Sequence, residues 1–222
     1  PFRNLTKKEI ERTIFLAMRR SERWRQMKEK QYDEKEIIAS FDKPRKMTIF
    51  SWDKETDTPI SPRDSILYYK KFFSASLMSM EPQTGQIKAW VGGINYKHFK
   101  YDQVKQGKRQ VGSTFKPLVY ATAIDQLHYS PCDTLPNTLH TIAAGKWGNT
   151  KNWSPKNSDG EYGGYPTLKE ALAKSVNTVS AQLIDKVGPR NVIDLAEKLG
   201  IDSEKMEEYP SIALGSVEVS LY

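Results

Sequence analysis

Apolar residues at Ile10, Ile14, Leu16, Ala17, Trp24 and Met27 recur at roughly helical spacing behind Thr6 and Glu9, a pair placed as a capping box. The chain is therefore predicted to open on a long amphipathic helix reaching about residue 30. Pro44 breaks the next stretch, and the alternation of Met47 and Ile49 reads as a strand, so residues 37–52 look like a connector into a second domain. Ser61-Pro62 starts a helix carrying Ile66, Leu67, Tyr69 and Phe72. Residues 74–80 and 86–92 are strand-like and are joined by Glu81-Pro82-Gln83-Thr84-Gly85, with proline early and glycine last, as a hairpin turn requires.

Leu118, Val119, Ala121, Thr122, Ala123 and Ile124 mark a buried helix. Pro117 must lie in its first turn, where a missing N–H costs nothing, so the helix is predicted to start at Ser113. Residues 129–166, rich in Pro, Gly, Asn and aromatics, are too long for a plain connection and are expected to rim a cleft. Thr167 and Glu170 form a second capping box, ahead of Leu168, Ala171, Leu172, Val179, Leu183 and Ile184. Gly188-Pro189 ends that helix, and one more runs from about 190 to 199.

Composition narrows the function classes. The 222 residues allow one large core, or a main domain with an appendage. Mean hydropathy is −0.65 and no apolar run approaches the length of a membrane span, so any anchor is expected outside these residues. Cys132 is the single cysteine and His98, His128 and His140 lack ligand spacing, which argues against an internal disulfide, a metal or a cofactor. The net charge of +7 is concentrated in residues 1–46, with 14 Lys/Arg against 8 Asp/Glu. That basic excess suits either a solvated helix face or an anionic partner. The aromatics at 147–165 are not interleaved with an arginine-rich strand, which speaks against nucleic acid.

The candidate chemistry lies in two short motifs. Ser113 and Lys116 stand three apart, a spacing that stacks side chains on one helical face, and a serine needs a nearby base to become a nucleophile. A helix beginning at the serine also aims free N–H groups and a positive dipole at its oxygen. Ser175 and Asn177 would point about 200° apart on a continuous helix, so the helix must break if both are to serve one cleft.

Together, Gly112-Ser113-Thr114-Phe115-Lys116-Pro117 and Ser175-Val176-Asn177 resemble the Ser-x-x-Lys and Ser-x-Asn motifs of penicillin-binding transpeptidases and serine β-lactamases. The run from Met80 to Gly93, Trp153-Ser154-Pro155-Lys156-Asn157 and Leu168-Lys169-Glu170-Ala171-Leu172 resemble the bifunctional class A penicillin-binding proteins. That resemblance covers residues 37–222 and leaves 1–36 as a basic helical interdomain linker. It implies an α/β sandwich of the penicillin-binding protein and β-lactamase-like kind. It also implies acyl transfer on the D-alanyl-D-alanine stems of peptidoglycan, with lipid-linked glycan a further partner and β-lactams as covalent inhibitors. In that scheme Ser113 is the nucleophile, Lys116 the base, Ser175 a proton relay and Asn177 a substrate-binding residue. The implied setting is the periplasmic side of a bacterial cytoplasmic membrane, in a longer protein with an anchor and a glycosyltransferase domain.

The family's third motif, Lys-Thr/Ser-Gly, does not occur in these residues, so a truncated piece with little or no turnover is expected. An incomplete sheet further suggests disorder near Tyr222 or a strand-swapped dimer. Two rival enzymes use a similar serine, a β-lactamase and a D,D-carboxypeptidase. Val176 in place of Asp argues against a class A β-lactamase. From another class comes a non-catalytic glycan-binding module.

Overall fold

The structure, a computed structural model, describes residues 5–222 and divides into two compact units. The first comprises residues 5–77 and 90–101, the second 78–89 and 102–222. In the first, helices α1 (Lys7–Arg19), α2 (Glu22–Glu29), α3 (Glu34–Asp42) and α4 (Pro62–Lys70) accompany strands β1 (Arg45–Ile49) and β2 (Thr56–Ile60). The Thr6–Glu9 capping box is present. The single long helix is not: Ser21 interrupts it. Its hydroxyl donates to Met18 O and accepts from Trp24 N, trading helical continuity for a new N-cap.

A second reading also changes. The first part of the connector expected at 37–52 is helical: it lies in α3, which spans Glu34–Asp42 behind an Asp33–Glu36 capping box. The helices bury Ile14, Met18, Trp24, Ile37 and Phe41 in one core, so the basic segment's α1 and α2 share packing with α3 and α4. Strands β1 and β2 pair antiparallel from Arg45↔Ile60 to Ile49↔Thr56. Phe50 is held at the strand end by Tyr69 Oη, which accepts from its N–H, and by Tyr68 Oη, which donates to its carbonyl.

Strands β3 (Leu77–Met80) and β4 (Ile87–Val91) form the expected hairpin, closed by Glu81 N to Gln86 O at 2.9 Å and Gly85 N to Glu81 O at 2.8 Å. In the second unit, β5 (Arg109–Gln110) leads through a short 3-10 turn (Gly112–Phe115) into α5 (Lys116–Leu127). Then come α6 (Leu168–Ala173), α7 (Asn177–Val187), α8 (Pro189–Lys198) and, after a 3-10 turn at Pro210–Leu214, β6 (Glu218–Val219). Helix α5 lies against α7 and α8, and Val119, Ala123, Val179, Leu183, Ile184, Val192 and Ala196 are fully buried there.

The long segment between α5 and α6 is held by the bridges Thr134↔Thr167 and Ile142↔Trp153. The last residues are also engaged. Strand β6 pairs antiparallel with β5, and the N–H groups of Leu221 and Tyr222 donate to Val104 O. The strands described here form three separate two-stranded ladders in a mixed helix and sheet fold.

Candidate active site

The turn carrying Ser113 is fixed by its two neighbours in the chain. Upstream, Val111 N donates to Val217 O and Gly112 N to Gly215 O, extending the β5–β6 pairing into the turn. Gly112 and Gly215 have φ of +59° and +70°, and a Cβ on Gly215 would strike the Gly112 backbone. Downstream is Pro117. An α-helix starting at Ser113 would satisfy the Ser113 carbonyl with the N–H of residue 117, which proline lacks. Lys116 N takes that carbonyl instead, in a three-residue bond, so the turn is 3-10 and α5 starts at Lys116 rather than at the predicted Ser113. Ser113 is exposed, and its hydroxyl has no hydrogen-bond partner among the described residues.

The second motif lies where α6 gives way to α7. Ser175 N donates to Leu172 O and Val176 N to Ala171 O, the paired bonds of a Schellman ending. Such an ending places its next residue in the left-handed region, normally glycine. Here it is Ser175, at φ +56°, a conformation costing an L-residue roughly 1–2 kcal/mol. Strain of this kind collects at functional positions. The predicted break is therefore present, made by a left-handed serine and an extended Val176.

Both motifs converge on one amine. Lys116 Nζ donates to Ser175 O at 2.6 Å, Ser175 Oγ at 3.0 Å and Asn177 Oδ1 at 2.6 Å. An ammonium has three protons, and three acceptors take them. The residue is fully buried, and loss of hydration lowers its pKa from the ordinary 10.5 to about 8. Lys116, Ser175 and Asn177 thus form one hydrogen-bonded group. Ser113 sits one turn ahead of it on the chain without the direct Ser113–Lys116 bond that the spacing predicts.

Asn177 is oriented from its far side, where its Nδ2 donates to Lys156 O at 2.8 Å. Asn137, and Asn157 of the Trp153–Asn157 run, neither of them among the candidate site residues of the sequence, buttress the start of α7. A signal for them existed: Val176 precedes the helix and cannot cap it, so the first N–H groups need an acceptor from elsewhere. No cluster of residues suited to a metal ion occurs among the described residues.

Residues 1–73 match the family described as the penicillin-binding protein middle domain, and residues 75–217 match the penicillin-binding protein transpeptidase domain. Penicillin-binding protein 1A of Neisseria cinerea is 32% identical over 155 residues, covering 70% of this chain and 19% of that protein. The crystal structure of penicillin-binding protein 1A from Haemophilus influenzae aligns with a TM-score of 0.61 at 27% identity, over 66% of this chain and 21% of its own. The PonA1 protein of Mycobacterium tuberculosis, solved in complex with penicillin V, shares the fold at a TM-score of 0.50 and 20% identity, over 92% of this chain and 55% of its own. The chain spans about a fifth of the length of the curated relatives it matches. With a transpeptidase match running through both motifs and over more than half of its residues, the chain belongs to the penicillin-binding protein transpeptidase family.

Proposed function

We propose that this chain carries the acylating half of a peptidoglycan D,D-transpeptidase, with Ser113 as nucleophile, Lys116 as base, Ser175 as proton relay and Asn177 as the residue that holds the substrate amide. One observation carries the reading. A fully buried lysine, one turn from an exposed serine, is held by a serine and an asparagine roughly sixty residues away and has its pKa lowered to about 8. At that pKa roughly one molecule in ten has a neutral amine at pH 7, against about one in 3,000 for an unshifted lysine. Burial thus supplies a usable base where lysine otherwise has none.

The chemistry follows from the proton count. On losing one proton, Lys116 keeps two donors for Ser175 O and Asn177 Oδ1 and gains a lone pair. That lone pair accepts the Ser113 proton as Oγ bonds to the carbonyl carbon of the penultimate D-alanine. The Ser113 N–H, in a first turn that lacks intrahelical acceptors, stabilises the oxyanion. The C–N bond to the terminal D-alanine then breaks, and its nitrogen receives a proton from Lys116 through Ser175. The amine of a second stem then attacks the ester carbon, its proton passes by way of the neutral Lys116 to Ser113 Oγ as the C–O bond breaks, and the new C–N bond is the cross-link.

A β-lactam opens on the same oxygen and stays there, in keeping with the penicillin V complex of PonA1. In the whole protein, the class A resemblance adds a glycosyltransferase domain, a membrane anchor and a place on the periplasmic side of the cytoplasmic membrane. The test is incubation of the full-length protein with labelled penicillin, followed by peptide mass spectrometry. An adduct on Ser113 that Ser113→Ala abolishes supports the reading. An adduct elsewhere, or none, overturns it.

A further inference from the structure

The start of α7 holds Asn177 against the lysine, yet nothing local holds the start of α7. Val176 occupies the N-cap position and has no side chain able to accept a bond. The acceptor comes from 20 residues upstream. Asn157 Oδ1 receives the N–H of Asn177 at 3.0 Å and that of Thr178 at 3.1 Å. Its Nδ2 donates to Asn137 Oδ1 and to Glu161 O, both at 2.7 Å.

The two lone pairs and the two hydrogens of that amide are all engaged, and the residue is only 8% exposed. Its orientation is unambiguous. The N–H groups of α7 can only donate and the Glu161 carbonyl can only accept, so a flipped amide would lose bonds at both ends. Asn137 closes the group, accepting also from Thr178 Oγ1 at 2.7 Å. The next link is direct: the residue whose N–H Asn157 accepts is the residue whose Oδ1 takes a proton from Lys116.

We propose that Asn157 is a positioning residue for acylation: by capping α7 from the preceding loop it fixes Asn177, and through Asn177 the Lys116 amine. This rests on the assignment of Ser113 and Lys116 above, and it gives the loop at 129–166 a defined task. The amide of Asn157 is spent on the α7 start, Asn137 and Glu161 O and makes no bond to Ser113 or Lys116, so its influence is on geometry and on the field at the lysine. An uncapped first turn frays, and displacing a catalytic group by about 1 Å costs about a hundredfold in rate.

The test uses the full-length protein, wild type and with Asn157→Ala or Asn157→Asp. The second-order rate of acylation by a fluorescent penicillin is read from pH 6 to 10, with melting temperature and active-site titre alongside. Alanine removes the cap. Aspartate keeps the accepting oxygens, loses the two donors and sets a negative charge at the α7 start, favouring protonated Lys116. Among the described residues Tyr120, one turn along α5, is the other buried titratable group, and burial pushes it up to about 12, above this range.

Asn157→Ala is expected to acylate at least about tenfold more slowly per titrated site, with the adduct still on Ser113. Asn157→Asp is expected to recover part of that rate while its rising limb moves to higher pH. Rates per titrated site equal to wild type in both variants, with an unmoved limb, overturn the proposal, because a residue that only stabilises the fold lowers the titre and not the rate. Absence of a Ser113 adduct in the wild type overturns the parent assignment and this proposal with it, an outcome distinct from failure of the variants alone.

Discussion

The Nζ of Lys116 lies 2.6 Å from Oδ1 of Asn177, 61 residues further along the chain. The contact joins the first residue of α5 to the first residue of α7, so the two helix starts share one proton donor. Removing the amine should therefore end the chemistry without dismantling either helix. In Lys116→Met the acylation rate should fall by about 10²–10⁴, the range for a lost general base, with circular dichroism near wild type. Lys116→Arg should do no better, because a guanidinium stays charged. A penicillin acylation rate in Lys116→Met within a factor of a few of wild type would remove the base from Lys116.

The buried amine also makes stability depend on pH, with a sign that follows from its lowered pKa. Below about 8 both folded and unfolded chains hold the proton, and the folded state bears the full cost of a buried charge. Between about 8 and 10.5 the unfolded chain binds more protons, so stability rises with pH through that window and levels off above it. The span corresponds to a gain on the order of 3 kcal/mol. Measured as the difference between wild type and Lys116→Met, denaturant midpoints should move in favour of wild type from pH 8 to 10.5. A flat difference would mean that the amine is not desolvated.

Ser175 occupies the left-handed position that a Schellman ending ordinarily gives to glycine. Comparing Ser175→Gly with Ser175→Ala isolates that cost, since both lose the hydroxyl. Glycine should be the more stable by about 1 kcal/mol, and both should acylate more slowly than wild type. Equal melting temperatures for the two variants would count against a strained serine.

What could be read in the chain and what could not divide along a physical line. The break between α6 and α7 was legible because Ser175 and Asn177 cannot share a face of an unbroken helix, and the Thr6–Glu9 and Thr167–Glu170 boxes are local signatures. The Asp33–Glu36 box was equally local and was overlooked behind the strand-like pattern that follows it. The β5–β6 pairing, by contrast, joins residues over a hundred apart, and no periodicity announces it. The Asn157 cap is non-local too: Val176 signals that α7 needs an outside acceptor, but no local pattern says which residue supplies it. Asparagine in a loop reads as surface until α7 is seen to lack an acceptor of its own.

Gly215 is the other residue on which the Ser113 turn depends. In Gly215→Ala the new methyl would collide with the Gly112 carbonyl and nitrogen, and the residue must also hold φ +70°. Gly112→Ala meets nothing within 4 Å and bears the φ cost alone. The expected losses of stability are about 1–2 kcal/mol for Gly112→Ala and clearly more for Gly215→Ala. If urea midpoints rank the two variants the other way, backbone contact between the glycines is not what sets the turn.

Pro117 offers the sharpest separation of stability from chemistry. Its missing N–H leaves the Ser113 carbonyl to Lys116 N and holds residues 112–115 in a 3-10 turn. Pro117→Ala restores the N–H and allows α5 to extend backwards to Ser113. Two effects on stability then oppose each other. One regained hydrogen bond is worth about 0.5–1.5 kcal/mol, while the loss of proline's rigidity in the unfolded chain costs about 0.4–1 kcal/mol. The net change should stay within about 1 kcal/mol. The geometry shifts more, because going from three to 3.6 residues per turn rotates Ser113 relative to Lys116 by about 60°. Acylation should therefore fall at least about tenfold in a protein that melts close to wild type. Wild-type acylation by Pro117→Ala would show that the 3-10 turn is incidental to the placing of Ser113.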